Sequence, residues 1–447
     1  MKPTMSRRTA LAGSAAALAT GLAACAPPNP GEVNAQATIP AADGRVTVSY
    51  WAWLKDLHKV AEVFNQTQDR ITVETTWIPG GNNGGYAKIL SAVAAGGGPD
   101  IAQVELRSVP EFALAGALVD VTRYDFASIA DRFDPGALTQ AQVGDSTWAL
   151  PQDTGPMATF YNREVLEGEL GLTVPSTWED FRETCGAVQE AGKQMITLDP
   201  FDGSHPVGWA MQSGAVWFRP EGDGWIVDMT DDASMRVAEF WDGILADKLI
   251  GTGYGSFTTP WYAAASEGSV LASISGSWSD ALIETVPGGE GKWAVAPMPV
   301  WSGDDPGYAS GAHGGSSAAI LANSQHPVEA LEFLTWMCTD PAGIDAMIEF
   351  SGIGWSPAAD YIGAPRQEPS EFFSGQNYNE EVIVPMAEGQ NLEWTWAPLM
   401  QRAMAIIGDG MTAAVNGEVP LVDMFADAQT EIVEIMRGIG LNAEEAR

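Results

Sequence analysis

One stretch of the chain decides the fold: Val46-Thr47-Val48-Ser49-Tyr50-Trp51, a β-branched and aromatic run that is typical of a buried strand. Apolar residues at helical spacing follow within residues 57–64, and residues 71–77 (Ile-Thr-Val-Glu-Thr-Thr-Trp) alternate as a second strand. A second helical pattern occupies residues 86–93, and residues 100–104 return to strand. This β-α-β-α-β order predicts a parallel sheet that is covered by helices.

The size and charge of the chain limit its class. Its 447 residues exceed the length, roughly 250–300 residues, at which a single core stops growing, so two domains are expected. Lys and Arg number 22 against 58 Asp and Glu, which gives a net charge of −36. Such an acidic chain repels phosphates, and we therefore expect neither nucleic acid nor anionic lipid surfaces among its partners.

The N-terminal segment has the layout of an export signal. Adjacent Arg7 and Arg8 precede an Ala, Leu and Gly run that is too short to span a bilayer, and the run ends at Leu22-Ala23-Ala24-Cys25. These four residues resemble the bacterial lipobox, whose cysteine receives a diacylglyceryl group before the signal is removed. Residues 1–24 are therefore predicted to be a signal peptide and Cys25 the lipidated N-terminus, anchored to the cell membrane on its outer side.

The same segment leaves two alternatives open. Cys25 is otherwise an ordinary cysteine at the end of a secretory signal, and the arginine pair fits both the Tat and the Sec export routes. Residues 25–43 are rich in Pro, Ala and Asn and bury little apolar surface, so they are predicted to form a lipidated flexible tether.

The other cysteines and the histidines show no metal-binding spacing. Cys185 and Cys338 either pair in an oxidising compartment or remain two buried thiols. The four histidines are scattered along the chain: His58, His205, His313 and His326. We expect no metal site and no cofactor.

A succession of motifs resembles one known family. Gly96-Gly97-Gly98-Pro99-Asp100-Ile101 is followed by residues 116–120 (Gly-Ala-Leu-Val-Asp) and by Trp148-Ala149-Leu150-Pro151. Residues 159–164 (Thr-Phe-Tyr-Asn-Arg-Glu) and 174–181 (Val-Pro-Ser-Thr-Trp-Glu-Asp-Phe) complete the pattern. In this order the motifs are similar to those of the extracellular solute-binding proteins of carbohydrate ABC importers, the family that includes maltose-binding protein.

The resemblance covers about residues 44–437 and implies a periplasmic-binding-protein-like α/β fold, with two α/β lobes, several hinge crossings and a ligand cleft between the lobes. Residues 268–278 resemble the strand that returns to the first lobe, and residues 293–299 and 314–320 the segment that leads back to the second. The implied boundaries are an N-terminal lobe of residues 44–122 plus 277–311 and a C-terminal lobe of residues 123–276 plus 312–447.

Polar side chains at strand ends are the first candidates for ligand binding. Asp56, Glu105 and Asp153 follow predicted strands, and an open α/β sheet binds ligands at the carboxyl ends of its strands. Asn82 and Asn83 lie in a glycine-rich loop, where their amides match sugar hydroxyls as donors and acceptors. The loop lacks the Gly-Lys-Ser/Thr ending of a phosphate-binding loop. Solvated loop charges and a plain surface turn are the competing interpretations.

Tryptophan is unusually frequent, with 17 Trp against 15 Phe and 9 Tyr. Its flat face suits stacking on sugar rings as well as core packing, and we expect most of the 17 in the core and three or four at a ligand. The resemblance implies a stacking role for Trp278 and a place in the cleft for Arg402. For Arg402, a surface ion pair is an equally good interpretation. The remaining candidates are Trp53 after the first strand, Trp217 in the second lobe, Trp355 in a glycine-rich loop, and Gly314 at the start of the 314–320 motif.

The function implied by the resemblance is a monomeric receptor that captures a carbohydrate and delivers it to the transmembrane subunits of an ABC permease, without enzymatic turnover. Scarce basic residues and many tryptophans favour a neutral di- or oligosaccharide. The strand that ends at Glu105 lacks the aromatic residue of the maltose receptor, so maltose specificity is not carried over. The alternatives are a membrane-anchored glycoside hydrolase, which would share the acidic aromatic cleft, and a structural surface protein, which the lack of repeats disfavours.

Overall fold

The computed structural model describes residues 38–446. The signal peptide, Cys25 and residues 25–37 of the predicted tether lie outside the described residues. Strands in the described part are β1 (Val46–Ala52), β2 (Ile71–Trp77), β3 (Ile101–Glu105), β4 (Gln142–Val143), β5 (Ser146–Thr147), β6 (Leu150–Asp153), β7 (Met157–Asn162), β8 (Phe218–Glu221), β9 (Gly224–Val227), β10 (Ala272–Gly276), β11 (Trp293–Pro297), β12 (Ser316–Ile320) and β13 (Asn442–Glu445).

The α-helices of the first half of the described chain are α1 (Leu57–Thr67), α2 (Gly85–Ala94), α3 (Val109–Leu114), α4 (Pro135–Thr139), α5 (Trp178–Glu190), α6 (Ser204–Ser213) and α7 (Asp232–Ala246). Those of the second half are α8 (Thr259–Ser266), α9 (Ser279–Ile283), α10 (Pro327–Thr339), α11 (Pro341–Ala346), α12 (Val384–Glu388), α13 (Met400–Val415) and α14 (Leu421–Gly438). Among the described residues, none of these helices is both long and apolar enough to cross a bilayer.

The first lobe is built on a five-stranded sheet with the order β2-β1-β3-β12-β6. Strand β1 pairs in parallel with β2 and with β3, which confirms the predicted β-α-β-α-β unit. One face of the sheet packs against α1 and α10, and the other packs against α2 and α3. Both faces are covered because the strands carry apolar side chains in both directions, as parallel sheets do.

The second lobe is built on the antiparallel sheet β10-β7-β11. All six residues of β7 are buried. The core of the second lobe holds most of the fully buried tryptophans. Trp209 and Trp241 form a stacked pair there, with ring centroids 3.7 Å apart. The expectation that most tryptophans are core residues is confirmed for the described part of the chain.

The strand pairing moves three segments to the lobe opposite to the one predicted. Strand β12 was expected in the C-terminal lobe, but Ser317 pairs with Val104 of β3 and with Pro151 of β6 in the first sheet. Residues 277–311, expected in the first lobe, contain β11, which pairs with β7 in the second sheet. Residues 123–153 end in β6 and pack with the first lobe. The motifs do mark strands, but the lobe to which a strand belongs is set by pairing with residues distant in the sequence. The order of the motifs does not specify that pairing.

Three crossings join the lobes within residues 38–446. They are residues 153–157 between β6 and β7, residues 311–316 before β12, and residues 352–355 after α11. The crossings touch one another: Thr154 bridges Trp355, and Pro156 bridges Ala312. Gly155 permits this approach, because a Cβ there would lie 2.1 Å from the His313 carbonyl oxygen. Several crossings were predicted by the resemblance, and the fold confirms them.

Two further expectations are decided by the described residues. The end of the predicted tether is held by the first lobe, because Ile39 N–H donates to Tyr124 Oη at 3.2 Å and Ala42 N–H donates to Glu329 Oε1 at 2.7 Å. The tether is therefore shorter than predicted. Cys185 and Cys338 are both free and lie in the cores of different lobes, which selects the alternative of two buried thiols.

Candidate functional site

A cleft of about 750 Å³ lies between the lobes. Its volume is in the range of small-molecule sites, ~300–1,000 Å³. Five of the predicted residues line it: Trp53, Glu105, Asp153, Trp278 and Gly314. Strand ends and the crossings supply these residues, so the cleft is formed where the first sheet presents the carboxyl ends of its parallel strands. Their roles in ligand binding stay predictions.

The first-lobe wall begins at the end of β1. Trp53 follows this strand directly, and its backbone N–H donates to the Gln103 side-chain oxygen at 2.9 Å. Its ring packs edge-on against Tyr86, with centroids 5.9 Å apart. Trp53 is half-buried, so part of its ring surface is open to the cleft.

Glu105 is the best-fixed carboxylate of this wall. Tyr86 Oη donates to its Oε2 at 2.7 Å, and Arg107 Nη2 donates to both carboxylate oxygens, at 3.0 and 3.2 Å. The pair is partly buried, with side-chain exposures of 18% for Arg107 and 22% for Glu105. Burial acts to lower the pKa of Arg107, but the Glu105 charge outweighs it and the pKa is raised. Arg107 therefore stays ionised.

Arg107 also connects the two lobes. Its Nη1 donates to Ser204 Oγ at 3.0 Å, and Ser204 begins helix α6 of the second lobe. A second contact lies nearby, where the backbone N–H of Gln401 donates to Glu111 Oε2 at 3.3 Å. These two hydrogen bonds therefore link the lobes across the cleft.

Asp153 ends strand β6 in the middle of the cleft. Its Oδ1 accepts from Ser316 N–H at 2.6 Å and from Ser316 Oγ. Burial is the largest influence on this carboxyl and outweighs the two serine hydrogen bonds, so its pKa rises from 3.8 to about 6. Asp153 is therefore ionised at neutral pH but takes up a proton under mildly acidic conditions.

The second-lobe wall is centred on Trp278. The residue follows β10, and its Nε1 donates to the His313 carbonyl oxygen at 2.6 Å, which fixes the ring plane. Gly314 lies against this ring with φ of 78°, and a Cβ there would lie 2.8 Å from Trp278 Nε1. Only glycine fits both the backbone angle and the space.

Three titratable groups that the sequence left apart meet at this wall. His205 Nδ1 lies 3.7 Å from Asp202 Oδ2, and His313 Nε2 lies 3.5 Å from the same oxygen. Burial, then the neighbouring His313, lower the pKa of His205 to about 4. Burial acts to raise the pKa of Asp202, but the hydrogen bond and charge of His313 hold it well below its ordinary value. His205 and His313, which are 108 residues apart in the sequence, are thus neighbours in the fold, with ring centroids 4.7 Å apart.

Two predicted tryptophans belong to the core instead. Trp217 is 0% exposed, and its Nε1 donates to Ser234 Oγ at 2.8 Å. Trp355 is 6% exposed and packs in the second-lobe core, although its neighbours Gly352 and Gly354 line the cleft. Loop glycines do open space here, but the crossing backbone turns the Trp355 ring inward.

Three other candidates lie away from the described cleft lining. Asp56 precedes α1 and pairs with Lys59 at 3.0 Å. That hydrogen bond lowers its pKa. Asn83 is exposed in the 3₁₀ turn Gly81–Asn83, and Arg402 is exposed on α13. The side chain of Asn82 lies outside what the structure describes, so that prediction stays untested.

The sequence analysis missed several cleft residues: Gln103, Arg107, Asp202, Ser204 and His313. Arg107 had a signal, because it stands two residues after Glu105 at a strand end. His313 adjoins Gly314 in a quoted motif. Asp202 and Ser204 had none, because the turn before α6 and the start of that helix contain no motif of the family resemblance.

Two α/β lobes that are joined by three crossings around a polar, aromatic cleft define a two-lobed binding protein. The sequence matches the family described as bacterial extracellular solute-binding protein over residues 49–344, about two thirds of the chain. The chain belongs to this family. No curated protein sequence gave a significant match.

Solved structures of sugar-binding proteins share the fold. The galacto-N-biose/lacto-N-biose I-binding protein of an ABC transporter from Bifidobacterium longum, in complex with lacto-N-biose, is 28% identical, with a TM-score of 0.80 over 90% of this chain and 100% of that one. A binding protein from B. animalis subsp. lactis in complex with β-1,6-galactobiose is 24% identical, with a TM-score of 0.75 and the same coverages.

A third similar structure is the sugar-binding protein MalE of Xanthomonas citri, which is 21% identical, with a TM-score of 0.71 over 88% of this chain and 98% of that one. All three are binding proteins, and the comparisons give no support to the glycoside hydrolase alternative.

Proposed function

We propose that this chain is the substrate-binding protein of an ABC sugar importer and captures a neutral di- or oligosaccharide in the cleft between its lobes. The observation that carries the proposal is the cleft itself, where Trp53 and Trp278 stand on opposite lobes with the carboxyl groups of Glu105 and Asp153 between them. Aromatic faces suit the C–H faces of sugar rings, and carboxylates accept hydrogen bonds from sugar hydroxyls.

The polar groups of the cleft fit a neutral polyol. Glu105 and Arg107 neutralise each other, and each keeps further lone pairs or N–H groups for hydroxyls. The Gln103 amide is fixed by Trp53 N–H. Hydrogen bonds from sugar hydroxyls to the charged groups of Glu105 and Arg107 would contribute about 1.5–3 kcal/mol each. The disaccharides named in two of the similar structures support a ligand of this size.

The N-terminal sequence supports a location for this receptor on the outer side of the cell membrane. We propose that Cys25 carries the lipid, that the receptor acts as a monomer outside the cell membrane, and that it hands its ligand to the permease subunits. Fractionation of cells that express Cys25→Ala tests this part. The variant should leave the membrane fraction and bind sugar as the natural protein does, and retention on the membrane would contradict lipidation.

A thermal-shift screen tests the cleft proposal. The purified protein is melted with each of a panel of neutral di- and oligosaccharides, and a ligand that binds only the folded state raises the melting temperature. A hit should be lost in Trp278→Ala and kept in Trp217→Phe, because Trp217 lies in the core. If no saccharide stabilises the protein, or if Trp278→Ala keeps the full shift, the proposal fails.

A further inference from the structure

Asp202, His205 and His313 place one ligand atom each within 4.8 Å of one another in the second-lobe wall. We propose that these three residues bind a divalent transition-metal ion of the zinc type. The proposal does not depend on the proposed sugar function, because the three side chains contact one another directly and need no bound saccharide.

The spacing is close to that of a zinc site. Zinc ligands lie about 2.0–2.2 Å from the ion, which places tetrahedral neighbours roughly 3.3 Å apart. Asp202 Oδ2 lies 3.7 Å from His205 Nδ1 and 3.5 Å from His313 Nε2. Side-chain adjustments of a few tenths of an ångström bring these two pairs to bonding geometry. The third pair, the two imidazole nitrogens, lies within 4.8 Å, so a rotation of the rings toward the ion closes that edge.

His205 provides an independent indication. The residue is 9% exposed, and its Nδ1 is buried without a hydrogen-bond partner among the described residues. Buried polar atoms are normally satisfied, and one that is not calls for a physical reason. Here the unsatisfied nitrogen faces the carboxylate oxygen of Asp202, so a cation between them would satisfy both groups.

The other atoms of the cluster are held as metal ligands are. His313 Nδ1 lies 3.1 Å from Ser275 Oγ, and Asp202 Oδ1 accepts from Ser204 N–H at 2.9 Å. These contacts leave Nε2 of the imidazole and Oδ2 of the carboxylate directed toward the cluster. Hydrogen bonds from the second ring nitrogen orient metal-binding histidines in the same way.

Charge and access also suit a cation. The described cleft lining carries four acidic and two basic side chains: Glu105, Asp153, Asp202 and Glu349 against Lys55 and Arg107. Arg107 is already paired with Glu105. Asp202 and His313 reach the cleft surface, so an ion bound there keeps a coordination position for water or a ligand hydroxyl. Two imidazoles and one carboxylate favour zinc over magnesium, which prefers oxygen ligands.

Calorimetric titration with ZnCl₂ tests the proposal on purified protein that has been treated with a chelator. One zinc ion should bind per chain, and MgCl₂ at the same concentration should give no heat of binding. His205→Ala and His313→Gln should each weaken zinc binding by at least about tenfold. His58→Ala is the matched control, because His58 is exposed on α1, and it should bind zinc unchanged.

Anomalous diffraction at the zinc edge locates the ion in crystals of the natural protein, which keeps the test decisive if a variant fails to fold. A peak among Asp202, His205 and His313 is the expected result. No zinc binding, equal binding by the His205 and His58 variants, or a peak elsewhere would overturn the proposal. Saccharide titration in the presence of chelator is read separately, so failure of the metal site leaves the sugar proposal unaffected.

Discussion

Arg107 of the first lobe donates a hydrogen bond of 3.0 Å to Ser204 of the second lobe, across the cleft. The same guanidinium is held by Glu105 on its own lobe. The contact therefore links a residue at a strand end to the N-terminus of helix α6. Such a link is easily broken and re-formed, as lobe opening around a hinge requires.

Replacing Arg107 by Ala should open the cleft and weaken saccharide binding by roughly 1–3 kcal/mol, because the cross-lobe bond is lost and Glu105 is left unpaired. Small-angle scattering should show a larger radius of gyration, and calorimetry should show the lower affinity. Ser204→Ala removes only the cross-lobe bond, so its loss of affinity should be smaller. Equal affinities of Arg107→Ala and the natural protein would show that the contact plays no part.

Trp278→Ala should lower saccharide affinity by about tenfold or more, because a stacking face of the cleft is lost. The ring is fixed by the His313 carbonyl, so its position should not depend on the ligand. Calorimetric titration measures the change. An unchanged affinity would place the saccharide elsewhere.

Trp217→Phe should lower the stability of the fold and leave saccharide affinity unchanged. Its ring is fully buried and its N–H bonds Ser234, so the variant should lose about 1–3 kcal/mol of unfolding free energy and keep its saccharide affinity. Denaturant unfolding and calorimetry separate the two effects. A loss of affinity without a loss of stability would contradict the assignment of Trp217 to the core.

Gly314→Ala should destabilise the fold by about 1–2 kcal/mol, because its φ of 78° is unfavourable for alanine. The added methyl also meets Trp278 at 2.8 Å, so the ring must shift and affinity should fall. Gly253→Ala is the control, because a Cβ there meets nothing within 4 Å. If both variants melt at the same temperature, the constraint at Gly314 is absent.

The raised pKa of Asp153 predicts a pH dependence with a definite sign. Between pH 3.8 and about 6 the folded protein holds a proton that the unfolded chain has released. The unfolding free energy should therefore fall as pH rises through this window, by at most about 3 kcal/mol, and this contribution should be constant above it. Asp153→Asn should remove this part of the profile in denaturant unfolding measured from pH 4 to 7.

Saccharide affinity should also depend on the protonation state of Asp153. The ionised carboxylate accepts hydroxyl hydrogen bonds at both oxygens, whereas the protonated form has lost part of that capacity. Affinity should fall as pH drops below about 6, where Asp153 gains its proton. A binding constant that is flat from pH 5 to 8 would remove Asp153 from the list of ligand contacts.

Much of the fold was predictable because its signals are local. The alternation and apolar spacing of residues 46–104 specify three parallel strands and two helices, and the structure has them. The strand-end rule also found Trp53, Glu105 and Asp153, since parallel strands present their carboxyl ends at one edge.

The remainder depends on contacts between distant residues. The partner of β12 is chosen by the first sheet, through pairs such as Ser317 with Val104 that lie 213 residues apart. His205 and His313 meet only because α6 and the second crossing pack at one wall. Side-chain direction misled the analysis at Trp217 and Trp355, because sequence spacing does not show which way a loop tryptophan turns.

The proposed function is the capture of a neutral saccharide between the lobes without turnover. Calorimetric titration of the purified protein with the best ligand from the thermal-shift screen tests it most directly. We expect saturable binding of one saccharide per chain, with a negative heat-capacity change as the cleft buries apolar surface. Absence of binding for every neutral di- and oligosaccharide, or continuous heat from turnover after saturation, would contradict the account.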